Sequence, residues 1–230
     1  DRAALGLAPG DPADAAAVLL IELDGQIQEV QAAVALTTDL CRQAGARTIR
    51  EAWDGNERAL LWKGRKNAIS ALGRRSSSYY LQDGVVPRGA LPAVLRAIED
   101  LSERHDLPVA NVFHAGDGNL HPLILYDARD PQACERVQEL GAEILRLCVE
   151  AGGSISGEHG IGSDKRCYLD WMFSKDDQET MQRVRRAFDP TGIANPGKIF
   201  PTPRGCAESS RTVRVLKEEG VPLPEALEVF

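Results

Sequence analysis

The sequence has 230 residues, 43% of them hydrophobic, which is enough to bury the core of one large domain, alone or with a tail. A net charge of −7 without a long basic run argues against non-specific nucleic-acid binding. No apolar stretch approaches the ~18 residues of a membrane-spanning helix. Five cysteines, Cys41, Cys134, Cys148, Cys167 and Cys206, form no Cys-x-x-Cys pair and read as reduced thiols of a cytosolic protein.

Residues 1–14, rich in Ala, Asp, Pro and Gly, read as a linker, so the start is expected to be a cut inside a longer protein. They show no basic region followed by an apolar one, so no signal peptide is visible in them. Residues 17–23, Ala-Val-Leu-Leu-Ile-Glu-Leu, predict a buried strand closed by Asp24-Gly25. A helix is expected over 26–44, with Ile27, Val30, Val34 and Cys41 on one face and Gly45 as its stop. A short strand follows at 47–52, then a helix over 56–72 stopped by Gly73. Residues 78–86 predict a strand ending at Pro87, and Pro92 opens a third helix running to His105. Strands at 109–113 and 120–126 flank Gly116-Asp117-Gly118-Asn119, a hairpin signal. A fourth helix over 131–151 breaks at Gly152-Gly153. A short strand at 154–157 and a helix over 175–187 complete the pattern, followed by a Pro/Gly-rich extended tail.

This order predicts an α+β fold, a ferredoxin-like antiparallel sheet covered by helices with a C-terminal helical and extended tail. No Gly-x-Gly-x-x-Gly or Walker A loop is present, so no nucleotide-phosphate cradle of those kinds exists.

Of the four histidines, three sit in or beside glycine-rich turns that carry acidic residues. His114 and His121 flank the hairpin, and His159 follows Glu158 in Gly157-Glu158-His159-Gly160. A hairpin brings its strand ends together, so His114 and His121 can face one ion, with Glu158 as the natural third ligand. His159 would then stay free to move a proton. The plainer alternative is that the pair is solvated or satisfied within the core. His105, at a helix end, reads as a structural residue whose charge suits the helix C-terminus.

Three segments together closely resemble the C-terminal domain of FAD-linked oxidases of the vanillyl-alcohol-oxidase-like group. They are His114-Ala-Gly-Asp-Gly-Asn-Leu-His121-Pro, Gly152-Gly-Ser-Ile-Ser-Gly-Glu-His-Gly-Ile-Gly162 and Phe188-Asp-Pro-Thr-Gly-Ile-Ala-Asn-Pro-Gly-Lys198. The group includes D-lactate dehydrogenase, D-2-hydroxyglutarate dehydrogenase and the glycolate oxidase flavoprotein subunit. The segments Tyr80-Leu-Gln-Asp-Gly-Val-Val-Pro-Arg88 and His121-Pro-Leu-Ile-Leu-Tyr-Asp127 look most like the last of these. The resemblance implies a C-terminal domain over 15–200, a tail over 201–230 without a functional account, and an absent N-terminal domain that holds most of the FAD.

The resemblance further implies oxidation of a 2-hydroxy acid, of glycolate or D-lactate type, to a 2-oxo acid by hydride transfer to flavin. His159 would be the base, and His114, His121 and Glu158 would hold a divalent metal, zinc or manganese. Arg65 would bind the substrate carboxylate and Asn119 the substrate or flavin, with Asn195 and Lys198 near the cofactor. The expected partners are a small 2-hydroxy acid, an electron-acceptor protein or quinone, and other oxidase subunits, but no nucleic acid. The expected location is the cytoplasm, with membrane association through partner subunits. The isolated domain is expected to be inactive alone. Two other readings remain, a free-standing metallohydrolase using the same histidines and a non-catalytic ferredoxin-like interaction module. Ester hydrolysis separates the first, and FAD-dependent turnover on adding the missing domain separates the second.

Overall fold

The computed structural model describes residues 17–73 and 75–201. The expected linker at 1–14, Cys206 and the tail from 202 lie outside the described residues. The chain divides into two compact units, Asp1–Ser78 and Tyr79–Phe230.

The first unit is helical. Helix α1 (Ile27–Gln43) ends as expected at Gly45, whose φ of +87° reverses the chain. There Gly45 N–H donates to Arg42 O at 3.0 Å and Ala46 N–H to Cys41 O at 2.9 Å, the paired bonds that close a helix C-terminus. Helix α2 (Gly55–Leu72) starts where the Asp54 carboxylate accepts the N–H groups of Asn56 and Glu57, at 2.7 and 2.9 Å. Neither strand expected in this unit forms. Residues 17–23 have no ladder partner among the described residues, and Val18, Leu19 and Ile21 are exposed. A short apolar run states a preference for burial, but a strand exists only by pairing. Residues 47–52 are likewise irregular, and Glu51 instead accepts from Thr38 Oγ1 at 3.2 Å.

The second unit carries the sheet. Strands β1 (Ser78–Leu81), β5 (Pro122–Tyr126) and β3 (Val109–Asn111) form one sheet in the order β1-β5-β3, while β2 (Gly84–Val85) and β4 (Asn119–Leu120) form a two-stranded ribbon. β3 and β5 pair antiparallel, with Ala110 opposite Leu123. Central β5 buries Leu123, Ile124 and Leu125 in succession, so both faces of the strand are covered. Helices α3 (Leu91–His105) and α4 (Pro131–Glu150) pack on each other, α3 against β3 and α4 against β5 and β2. Val94, Ile98 and Leu101 meet Val137, Leu140, Ile144 and Cys148 at helical spacing to form the core.

The result is the expected α+β architecture, with local differences; the strand anticipated at 120–126 divides at His121 between the ribbon and the sheet. The strand anticipated at 78–86 breaks at Gln82 and Asp83, both fully buried, where the chain passes from one sheet to the other. The strand anticipated at 154–157 shrinks to a bridge between Ser154 and Val85. A 3-10 segment, Arg166–Trp171, precedes α5 (Lys175–Phe188), which a reciprocal Ser174–Asp177 cap initiates. Beyond α5 the chain turns back. Arg166 donates to Gly197 O at 2.7 Å and Ile199 N–H to Gly162 O at 2.7 Å.

Cys41, Cys134 and Cys148 are free thiols as expected. No helix among the described residues is long and apolar enough to cross a membrane.

Candidate functional site

The site is built on two turns anchored to one stretch of chain. The first is the hairpin between β3 and β5. His114 N–H donates to Asn119 O at 3.0 Å, and Asp117 N–H to His114 O at 3.1 Å. Gly118 takes φ +72°, and a Cβ there would lie 2.1 Å from Val86 O, so the position demands glycine. Its own carbonyl accepts Val86 N–H at 2.9 Å, which ties the turn to the residue after β2. His121 is buried at the base of the hairpin and His114 is exposed at its tip, their rings edge-to-face at 5.8 Å.

The second turn follows α4. Val85 and Ser154 exchange both backbone hydrogen bonds at 2.9 Å, which starts residues 156–160 beside Asp83. The turn then wraps the Asp83 carboxylate. Oδ2 accepts from Ser156 Oγ at 2.8 Å and from the N–H groups of Gly157, Glu158 and His159 at 3.0, 3.1 and 2.9 Å. Burial alone would raise the Asp83 pKa, but these donors and the Lys165 ammonium, 3.6 Å away, outweigh it and hold the pKa at about 2. Lys165 is itself buried and donates to Asp83 O at 3.0 Å. Desolvation lowers its pKa against the pull of Asp83.

The two turns meet at Glu158. Its Oε1 lies 3.0 Å from His121 Nε2 and 3.7 Å from His159 Nε2. The His121 and His159 rings stack at 5.2 Å. Burial lowers the His121 pKa, with Glu158 and Asp83 opposing, which favours the neutral imidazole that can ligate. One donor atom from each of His114, His121 and Glu158 falls within 4.8 Å of the others. His121 Nε2 is buried without a hydrogen-bond partner, despite its two carboxylate neighbours. A buried ring nitrogen beside carboxylates, with donor atoms of exposed His114 and Glu158 within 4.8 Å, fits a divalent cation.

Four expected site residues, His114, His121, Glu158 and His159, thus come together. Asn119 is buried in the hairpin, and its Oδ1 lacks a partner. Arg65 is half-buried on α2, in the first unit. Asn195 and Lys198 are exposed in the loop after α5. That loop is held by Arg185, which donates to the Ala194 and Asn195 carbonyls. His105 has the structural role expected, 2.9 Å from Glu143 Oε1. Sequence reasoning missed Asp83 and Lys165. The available signal was Gln82-Asp83 interrupting an otherwise strand-like run.

The family described as FAD linked oxidases, C-terminal domain, matches residues 2–199. The glycolate oxidase subunit GlcD of Escherichia coli (strain K12) is 54% identical over 199 residues, covering 86% of this chain and 40% of that protein. GlcD of Bacillus subtilis (strain 168) is 38% identical over 200 residues, 87% of this chain and 42% of that protein. A probable mitochondrial D-lactate dehydrogenase of Danio rerio is 31% identical, over 79% of this chain and 37% of that protein. The chain therefore spans about two-fifths of the length of these relatives. The solved 4-ethylphenol oxidase from Gulosibacter chungangensis, in its isoeugenol complex, shares the fold. Its TM-score is 0.56 at 19% identity, over 76% of this chain and 37% of that one. With the match running through both turns of the site, the chain belongs to the family of FAD linked oxidases, C-terminal domain.

Proposed function

We propose that this chain is the substrate-binding and catalytic cap of an FAD-dependent 2-hydroxy-acid dehydrogenase of glycolate or D-lactate type. The observation that carries the reading is the convergence of His114, His121, Glu158 and His159 from two turns onto one point. The relatives named glycolate oxidase subunit and D-lactate dehydrogenase support the substrate class. They are more than twice as long as this chain, and in this reading most of the FAD is held by a region the chain does not include.

FAD, when bound, would supply the acceptor for the hydride of the substrate Cα. A divalent cation, zinc or manganese, held by His114, His121 and Glu158 would polarise the substrate hydroxyl and carboxylate oxygens. His159 takes the hydroxyl proton on Nε2, and the Glu158 carboxylate 3.7 Å away stabilises the imidazolium that forms. His121 backs the His159 ring and limits its rotation. Arg65 pairs with the substrate carboxylate through its guanidinium fork, and Asn119 contributes its amide from the hairpin. Asn195 and Lys198 would help hold the cofactor. Electrons leave to a protein or quinone acceptor. The word subunit in the GlcD names supports a multi-subunit assembly, here proposed as cytoplasmic and membrane-associated through its partners.

The test is turnover of glycolate and D-lactate by the FAD-loaded enzyme with a dye acceptor, alongside elemental analysis of wild type and His121→Ala. Oxidation of either acid, with one metal equivalent lost in the variant, supports the reading. Absence of turnover on both acids overturns it, and turnover without bound metal removes the cation while leaving His159 as base.

A further inference from the structure

We propose that Asp83 is a positioning residue, whose carboxylate sets the backbone of residues 156–160 and thereby aims Glu158 and His159. The inference rests on the reading above, in which those two side chains act on the substrate. Asp83 touches neither substrate nor any reacting atom in that reading. Its Oδ2 gathers four donors from four consecutive residues, Ser156 Oγ and the N–H groups of Gly157, Glu158 and His159. Successive N–H groups converging on one anion make a concave nest. Here the anion belongs to the protein, so the turn is shaped before any ligand arrives. Ser156 completes the loop by accepting Gly160 N–H on its hydroxyl at 2.8 Å.

The backbone donors are consumed by Asp83, and the Glu158 and His159 side chains meet beside His121, with Glu158 Oε1 3.0 Å from His121 Nε2 and 3.7 Å from His159 Nε2. Asp83 is fully buried and lies 3.7 Å from His121 Nε2, so the same carboxylate also borders the hairpin half of the site. Lys165 supplies the balancing charge from beneath, anchored on the Asp83 carbonyl. A buried carboxylate with one ammonium needs no further partner for charge balance. The four extra donors are what a purely charge-balancing role leaves unexplained.

The experiment separates these roles by removing both charges at once. Asp83→Ala/Lys165→Met leaves no unpaired buried charge, and Asp83→Asn/Lys165→Met keeps one acceptor oxygen. Amide hydrogen exchange and zinc titration are measured on the full chain for both variants and wild type. The expected result is loss of protection at Gly157, Glu158 and His159 by at least about tenfold, with α3 and α4 amides unchanged. Zinc binding should weaken by about 10- to 100-fold. The Asn variant should fall between wild type and the Ala variant. Unchanged protection at all three amides overturns the proposal. If the Ala variant does not fold, the Asn variant decides by the same criterion. Failure of wild type to bind zinc would count against the metal reading alone, since the exchange data still decide the role of Asp83.

Discussion

The imidazoles of His121 and His159 lie nearly parallel, 8° between planes and 5.2 Å between centroids, one buried and the other exposed. The exposed ring is thereby backed by a rigid one that belongs to the other turn. In the proposed mechanism, replacing His159 by Gln would remove the proton acceptor while leaving the His114, His121 and Glu158 donors in place. The expected outcome is a fall in kcat of about 100- to 10,000-fold, with bound metal unchanged. Steady-state kinetics with metal analysis on the same sample check it.

Arg65 is expected to act on binding. An Arg65→Met variant should raise KM for the hydroxy acid by about 10- to 100-fold, the worth of a charge-assisted hydrogen bond. The fall in kcat should be smaller. Arg65→Lys should recover only part of the loss, because an ammonium lacks the planar fork. A KM unchanged in both variants would remove Arg65 from the site.

Gly118 is predicted to be irreplaceable in stability terms. An alanine there faces both a φ of +72° and a Val86 carbonyl 2.1 Å from its Cβ. Gly116→Ala, with open space around it, is the control. Denaturant unfolding should show a loss above about 1 kcal/mol for Gly118→Ala and within about 0.5 kcal/mol for Gly116→Ala.

Cys148 makes a prediction in alkali. Burial pushes its thiol up to about 12, with Lys165 opposing and Asp83 adding slightly. The folded pKa thus lies above a thiol's ordinary value of 9.0. Below pH 9 both folded and unfolded states are protonated, and the contribution is fully present. Between 9 and about 12 only the unfolded chain ionises, so stability falls as pH rises, by up to about 1.4 kcal/mol per pH unit. Wild type should therefore lose more stability than Cys148→Ala between pH 8 and about 10.5. Half-buried Tyr80 and Tyr168, also shifted up, contribute equally to both proteins and cancel in the comparison.

Local signals carried the helices well. Gly45, Pro92 and the Gly152-Gly153 pair punctuate α1, α3 and α4 within a residue or two of where they were read. Strands were less legible because pairing is non-local. Residues 17–23 look as apolar as β5, yet only β5 finds neighbours among the described residues. The histidine and glutamate cluster was legible because each member stands in a glycine-bounded turn. Asp83 was not, since its significance comes from a turn far along the chain that closes over it. Nothing in Tyr80-Leu-Gln-Asp-Gly by itself announces those donors.

Residues 82–86 are bonded in turn to Pro122, to the 156–159 backbone, to Ser154 and to Gly118. This short segment therefore acts as a ruler against which both turns are measured. Inserting or deleting one residue within it would put the hairpin and the acidic turn out of phase with each other, even if each kept its own shape. Length variation among homologous proteins should accordingly collect elsewhere, for example at the exposed bend over 128–130, while the spacing from Asp83 to Val86 stays constant.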